Sequence, residues 1–253
     1  MSQALYDRIG IGYSEYRRPD ERIARRIDGA LGRSRSVLNV GAGAGSYEPR
    51  SRFVVAVEPS TEMIRQRSGR AAHAIQACAD RLPFHDRSFD AALAILTIHH
   101  WSHRDQGLAE MRRVARDRVV IFTWDPEHPG FWLVQDYFPE ILAIDRPNFP
   151  SLREIEKAIG PTEVLALPIP ADCSDGFLGA YWRRPEAYLD KRARGAISTF
   201  STIDPAAGIA QLRRDLEDGT WSDRYGALLS LPELDIGYRL VIGDARLSEA
   251  GDA

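Results

Sequence analysis

The sequence of 253 residues lacks the features that mark secreted, membrane-spanning and nucleic-acid-binding proteins. It has two cysteines, Cys78 and Cys173, which predict free thiols in a reducing compartment rather than a disulfide framework. No stretch approaches the ~20 apolar residues of a membrane span. The first residues have neither the basic start nor the apolar core of a secretory signal. A net charge of −3 gives no electrostatic reason to expect nucleic acid or a membrane as a partner. We therefore expect a cytoplasmic protein.

A cluster of glycines follows the first strongly apolar run. Residues 37–40 lead into Gly41, Gly43 and Gly45, and the next apolar run, residues 53–57, ends on Glu58. Glycine lets the backbone turn tightly and lets a ligand approach the main chain. A carboxylate at the tip of the second strand suits the two hydroxyls of a ribose. The pattern predicts a nucleoside site at the edge of an α/β sheet.

The spacing of the glycines argues against a dinucleotide. They read G-x-G-x-G rather than G-x-G-x-x-G, and Tyr47, Glu48 and Pro49 follow directly. Proline limits the helix whose N-terminus would hold a pyrophosphate, and Glu48 would repel one. We infer a cationic ligand without phosphate. A nicotinamide-dependent oxidoreductase is the disfavoured alternative, and a non-catalytic protein that binds the same cofactor stays open.

A second motif lies downstream of the glycine loop. Residues 79–84 read Ala-Asp-Arg-Leu-Pro-Phe, and residues 86–90 read Asp-Arg-Ser-Phe-Asp. With the glycine loop, this stretch resembles the class I S-adenosylmethionine-dependent methyltransferases over roughly residues 36–124. It is similar in particular to the ubiquinone/menaquinone C-methyltransferase-like enzymes of small molecules. The resemblance implies a doubly wound, mostly parallel seven-stranded Rossmann-like sheet, with a helical cap inserted before an antiparallel last strand. It also implies S-adenosyl-L-methionine as cofactor, S-adenosyl-L-homocysteine as its product and a small-molecule acceptor.

The resemblance further implies a set of cofactor contacts. Glu58 would fix the ribose, the glycine loop the methionine half, and residues 79–80 the adenine. The chain departs from the family's pattern where Asn39 and Cys78 stand at usually acidic positions. The expected cofactor residues are Asn39, Gly41, Ala42, Gly43, Glu58, Pro59, Ser60, Met63, Ala79, Asp80 and Thr97.

The apolar run at residues 91–96 predicts a central strand that delivers residues 97–103 to the ligand-binding edge of the sheet. His99 and His100 are candidate general bases, because an unperturbed histidine has a pKa of about 6.5. Alternatively, they only wall the pocket. His99 and His103 have the spacing of two helical metal ligands, but no third ligand is evident, so no metal is predicted. The candidate substrate contacts are Tyr13, Arg17, Trp101, Tyr181 and Trp182.

The chain divides into three predicted regions. Residues 1–35 form an N-terminal lid and the first helix, with a solvated arm as the alternative for the first 19. Residues 36–168 and 236–243 form the cofactor-binding core. Residues 125–160 and 169–235 form a helical substrate cover, for which plain packing helices are the alternative. The sequence leaves the acceptor, the methylated atom and the oligomeric state open.

Overall fold

The computed structural model describes residues 17–248, with side chains to residue 246. Seven strands form the main sheet in the order β3-β2-β1-β4-β5-β9-β6, and β7 pairs with β8. β9 runs antiparallel to β5 and β6, and the other pairs of the main sheet are parallel. The fold predicted from the resemblance, including its antiparallel last strand, is confirmed. The strands are β1 (Ser36–Val40), β2 (Phe53–Val57), β3 (Ala74–Ile75), β4 (Phe89–Ile95), β5 (Ala115–Trp124), β6 (Thr162–Ala166), β7 (Ile169–Pro170), β8 (Glu233–Leu234) and β9 (Tyr238–Asp244).

Polar caps fix the starts of several helices. Asp20 accepts a hydrogen bond from the Arg22 N–H and Ser60 from the Met63 N–H, while Ser151 forms a capping box with Glu154. None of the helices within residues 17–248 has the length and apolar character needed to cross a membrane. The helices are α1 (Glu21–Ala30), α2 (Thr61–Arg65), α3 (Arg104–Val114), α4 (Pro139–Asn148), α5 (Leu152–Ile159), α6 (Lys191–Gly195), α7 (Ala206–Glu217) and α8 (Thr220–Tyr225).

The sheet is buried on both faces. Along β4, Ala91 and Leu93 pack into one apolar core, and Ala92 and Ala94 pack into the other. This explains why β4 reads as a continuous apolar run instead of an alternating one. Side chains of α3 and α5 cover one face, and those of α1, of residues 131–149 and of residues 169–221 pack on the other.

The last strand starts later than the sequence predicts. The apolar pattern suggests a start at Asp235 or Ile236, but β9 begins at Tyr238. The Asp235 carboxylate accepts a hydrogen bond from the Gly237 N–H, and Gly237 has a φ of 97°. This local turn keeps residues 235–237 out of the sheet.

Aromatic side chains of the cover, after β5 and β7, are part of the apolar core on one face of the sheet. The indole N–H of Trp132 donates to the Trp182 carbonyl at 2.9 Å, and that of Trp182 donates to the Ile169 carbonyl at 2.8 Å. The rings of Trp132 and Trp221 meet edge to face at 5.4 Å. The cover is therefore a packed layer rather than a long loop.

Candidate active site

The glycine loop is tied to the ends of two strands. The N–H groups of Gly41 and Ala42 donate to the Val57 carbonyl at 2.8 and 3.0 Å. Gly41, Gly43 and Gly45 have φ angles of 68°, 51° and 92°, a region that residues with a Cβ rarely adopt. A Cβ on Gly41 would collide with the Thr97 hydroxyl, so the loop packs directly against the end of β4.

Glu58 holds the glycine loop against the start of α2. Its buried carboxylate accepts hydrogen bonds from the Gly43 N–H at 2.8 Å and from the Ser60 N–H at 2.9 Å. The methyl group of Met63 would lie 3.2 Å from a Cβ on Gly43. The structure thus brings Gly43, Glu58, Ser60 and Met63 together, with Pro59 between Glu58 and Ser60 in the chain. Glu58 has a structural role that the sequence does not reveal.

Asn39 presents an unsatisfied acceptor below the loop. The side chain is 1% exposed, its Nδ2 donates to Glu48 at 3.1 Å, and its Oδ1 has no hydrogen-bond partner within residues 17–248. Glu48 pairs with the buried guanidinium of Arg67 at 2.5 Å and also accepts from the Ala72 N–H. Arg67 therefore offsets part of the negative charge with which Glu48 is expected to repel a pyrophosphate.

The groups around the glycine loop provide what a nucleoside cofactor needs. A buried acceptor without a partner needs a hydrogen-bond donor, which an amino group of a ligand supplies. The loop has no side chains at Gly41, Gly43 and Gly45, so a ligand can lie against its backbone. The Glu58 carboxylate stands at the end of β2. The residues fit a cofactor with a ribose and an amino group.

The predicted adenine residues lie near the start of α3. Ala79 is buried beside the ring of Trp101, and both approach Gly107 of α3. Asp80 is partly exposed, with its Oδ2 4.0 Å from Nε2 of His103. Trp101 therefore lies with the adenine candidates rather than with the substrate candidates.

A cavity of about 50 Å³ lies at the carboxyl end of β4. It includes three residues singled out in the sequence: Arg17, His99 and His100. Trp101, Tyr181 and Trp182 do not line it, and Tyr13 lies outside the described residues. The lining residues are Arg17, Leu96, His99, His100, Trp124, Asp145, Phe149, Phe177, Leu178, Ala196, Ile197, Ser198, Thr199 and Tyr238.

The two histidines are neutral at pH 7. Burial lowers the pKa of His99 well below its ordinary value, and the nearby His100 lowers it further. Burial also lowers the pKa of His100 to about 4. The His99 ring stacks on Phe149 with centroids 4.0 Å apart, and its Nδ1 is buried without a hydrogen-bond partner among the described residues. A conjugate acid with so low a pKa makes a weak base, which favours the alternative that these rings wall the pocket.

The i, i+4 spacing of His99 and His103 does not place them on one helix face. His99 is in a single 3₁₀ turn (Ile98–His100), Trp101 is extended, and His103 precedes α3. Within residues 17–248, no three histidine, cysteine or acidic side chains are grouped as metal ligands would be.

Asp145 is the charged cavity residue that the sequence does not single out. It lies in α4, 5% exposed, four residues after the buried Ile141. Burial raises its pKa to about 7, and a hydrogen bond with the Thr199 side chain opposes this rise. The only signal in the sequence is an acidic residue at a position where helical spacing predicts an apolar one.

The remaining substrate candidates have other partners. Arg17 donates from Nε to Asp175 at 2.7 Å while it lines the cavity. Trp182 is fully buried and its only N–H is used within the cover, so its predicted substrate contact is corrected to a packing role. Tyr181 packs against Tyr188 and under the Arg184 guanidinium. The aromatic cavity walls are instead Trp124, Phe149, Phe177 and Tyr238.

Comparison with known proteins identifies the class. A family model described as a methyltransferase domain matches residues 38–123. The crystal structure of a protein from Anabaena variabilis, assigned to the methyltransferases of an antibiotic biosynthesis pathway, is 33% identical, with a TM-score of 0.83. The match covers 90% of this chain and 98% of that one. The chain therefore belongs to the methyltransferase family, and the predicted enzyme class, a class I S-adenosylmethionine-dependent methyltransferase, is confirmed.

More distant structures share the fold alone. A SAM-dependent methyltransferase from Thermotoga maritima is 16% identical, with a TM-score of 0.56 over 95% of this chain and 97% of that one. Geranyl diphosphate C-methyltransferase from Streptomyces coelicolor, solved with S-adenosylhomocysteine, is 15% identical, with a TM-score of 0.51 over 89% of this chain and 79% of that one. No curated protein sequence matches the chain.

Proposed function

We propose that the protein transfers the methyl group of S-adenosylmethionine to a small-molecule acceptor bound in the cavity at the end of β4. The observation that carries the proposal is the contact between the two halves of the site. Gly41 packs directly against Thr97, and Leu96 and His99, on either side of Thr97, line the cavity. A cofactor on the glycine loop would therefore lie beside an acceptor in the cavity.

The cofactor supplies a sulfonium-bound methyl carbon that is already electrophilic. We assign Asn39 Oδ1 to its amino group, the Glu58 carboxylate to its ribose, and Ala79 and Asp80 to its adenine. A carboxylate accepts about four hydrogen bonds, so Glu58 can serve both the loop and a ribose. Gly41, Ala42, Gly43, Pro59, Ser60, Met63 and Thr97 complete this proposed site.

The chain's own residues would then orient the acceptor and exclude water, which is most of what such a transfer requires. The neutral rings of His99 and His100 wall the cavity beside the methyl donor, and Arg17 joins them from the N-terminal segment. We propose residues 36–168 and 236–243 as the cofactor core and residues 125–160 and 169–235 as the acceptor cover. The net charge of −3 favours a small acceptor over nucleic acid.

Calorimetric titration with S-adenosylhomocysteine tests the proposal, with NADH as the control ligand. We expect micromolar affinity for the first and no binding of the second. Binding of NADH instead would indicate that the glycine loop binds a dinucleotide. A screen of acceptors would follow, and the finer likeness to the ubiquinone/menaquinone C-methyltransferases would be tested there.

A further inference from the structure

Asp145 is a buried carboxylate without a cationic partner. It forms no salt bridge with any residue from 17 to 248, and its side-chain hydrogen bond comes from Thr199. Burying an ionised group in this way is unfavourable unless a charge or several hydrogen bonds compensate it. An ionised Asp145 therefore favours a cationic ligand.

The other ionisable groups that line the cavity do not supply that charge. Arg17 is paired with Asp175, whose carboxylate is fully buried. His99 and His100 are neutral at pH 7 because burial lowers the pKa of both rings. Burial raises the pKa of Tyr238, so its hydroxyl stays protonated. Among these groups, Asp145 carries the uncompensated charge.

In the tautomer of His99 that carries its proton on Nε2, the unsatisfied groups of the cavity-lining residues are hydrogen-bond acceptors. A neutral imidazole has one donor nitrogen and one acceptor nitrogen. Nδ1 of His99 is buried and has no hydrogen-bond partner within the described part of the chain. A ligand that satisfies both Nδ1 and the Asp145 carboxylate must donate more than one hydrogen bond.

The walls of the cavity favour positive charge. Phe149 and Trp124 meet edge to face at 5.6 Å, and Phe177 and Tyr238 meet at 4.8 Å. Aromatic faces attract cations through the ring quadrupole, and desolvation strengthens that attraction. The Arg17 guanidinium, 6.0 Å from the centroid of the Phe177 ring, already makes such a contact at one wall. The rings of Trp124, Phe149 and Tyr238 are the walls that a ligand cation would use.

Resting on the proposed function, we propose that the methyl acceptor is an amine whose ammonium group binds between Asp145 and His99 in the aromatic cavity. An ammonium group is cationic and carries up to three N–H donors, which matches both unsatisfied acceptors. A cavity of about 50 Å³ has room for this group.

Ionised Asp145 can also act as the base that deprotonates the ammonium group of the acceptor. When its carboxylate takes one proton, the ammonium N–H bond breaks, an O–H bond forms, and the electron pair stays on nitrogen. The amine is then neutral and nucleophilic.

The experiment compares two probes of nearly equal shape, 2-phenylethylammonium and neutral 2-phenylethanol. Each is titrated by calorimetry into protein saturated with S-adenosylhomocysteine. The variants are Asp145→Asn and, as a matched control, Glu140→Gln at an exposed position of the same helix. We expect the wild type and Glu140→Gln to prefer the cation at least tenfold, and Asp145→Asn to lose that preference.

A second measurement needs no variant. The probe stays cationic below about pH 9, and burial, which lowers the pKa of both histidines, keeps them neutral at pH 6. Because the pKa of Asp145 is about 7, affinity for the cation should be about tenfold weaker at pH 6 than at pH 8. Affinity that does not change over this range would overturn the proposal.

The outcomes separate the two proposals. If S-adenosylhomocysteine binds but the wild type does not prefer the cation, the amine acceptor is refuted and methyl transfer stands. If S-adenosylhomocysteine fails to bind the wild type, the proposed function fails and this inference falls with it. Loss of S-adenosylhomocysteine binding in Asp145→Asn alone would mark a folding defect, and the pH series would then decide.

Discussion

The Tyr47 hydroxyl donates a 2.7 Å hydrogen bond to the buried carboxylate of Asp175. Tyr47 follows the glycine loop, whereas Asp175 belongs to the cover and also receives Arg17 from the N-terminal segment. The backbone of Tyr47 has a φ of 61°, which is unfavourable for a residue with a side chain. This one bond therefore couples the proposed cofactor loop to the layer over the acceptor cavity.

We expect Tyr47→Phe to lower the free energy of unfolding by ~1–3 kcal/mol, because it leaves a buried carboxylate without one of its donors. Urea denaturation measures this. Tyr181→Phe is the matched control, since the Tyr181 hydroxyl makes no side-chain hydrogen bond within residues 17–248 and its ring is similarly buried. Equal losses in both variants would show that the bond to Asp175 contributes little.

Gly41→Ala should abolish most of the affinity for S-adenosylhomocysteine, by tenfold or more in calorimetry. The new Cβ would collide with the Thr97 side chain and displace the loop. Gly130→Ala is the control, because Gly130 also has a positive φ, 94°, but has nothing within 4 Å of a new Cβ. Each variant should lose ~1–2 kcal/mol of stability, because a residue with a Cβ disfavours a positive φ. Only Gly41→Ala should also lose the ligand.

A second substitution tests whether the collision with Thr97 causes this loss of affinity. Thr97→Ala removes the hydroxyl and methyl groups that the new Cβ meets, so Gly41→Ala/Thr97→Ala should recover part of the affinity. If Thr97→Ala alone binds like the wild type and the double variant does not recover, the defect lies in backbone strain rather than in the contact with Thr97.

The sequence predicts the parts of this site that depend on local pattern. The strand before Gly41 and the position of Glu58 after the next strand both follow from neighbouring residues, and the structure has them as predicted. The antiparallel last strand came from the family resemblance, because no local signal specifies a strand's partner.

Longer-range packing decides the rest. Asp145 enters the cavity only because α4 packs beside Thr199, 54 positions away in the chain, and nothing local predicts that contact. The pairing of Glu48 with Arg67 likewise depends on the turn after α2. Composition also does not distinguish an aromatic cavity wall from an aromatic core, so the sequence predicts Trp182 in the site and gives no reason to include Phe149 or Phe177.

Glu58→Gln should weaken S-adenosylhomocysteine binding at least tenfold and lower stability by ~1–3 kcal/mol. The amide nitrogen would face a backbone N–H at Gly43 or Ser60 and lose that bond. Glu163→Gln, at an exposed position of β6, removes the same charge far from the loop and should change neither quantity. Unchanged affinity in Glu58→Gln would refute the assignment of its carboxylate to the ribose.

The buried histidines predict acid sensitivity. Between pH 6.5 and about 4, the unfolded chain binds a proton at His100 that the folded protein excludes, so stability falls as the pH falls. The shift corresponds to about 3 kcal/mol between pH 7 and pH 4. His100→Gln should flatten this part of the stability curve, whereas His85→Gln, at an exposed site, should leave its slope unchanged. Parallel curves for wild type and His100→Gln would mean that the ring is open to solvent.

The contribution of Asp145 to the unfolding free energy changes with pH in the opposite direction from that of His100. Its folded pKa of about 7 lies above the usual 3.8, so between these values the folded protein holds a proton that the unfolded chain lacks. That contribution is present below pH 4 and is lost as the pH rises through 7. Asp145→Asn should therefore exceed the wild type in unfolding free energy by up to about 4 kcal/mol at pH 8, and the difference should vanish near pH 4.

The same comparison with 2-phenylethylammonium present connects stability with function. An ammonium group beside the ionised carboxylate would stabilise the wild type at pH 8 and leave Asp145→Asn unchanged, so the gap between them should narrow as the ligand is added. If the wild type and Asp145→Asn have equal unfolding free energies at pH 8 without ligand, Asp145 is well solvated. It would then need no cationic partner.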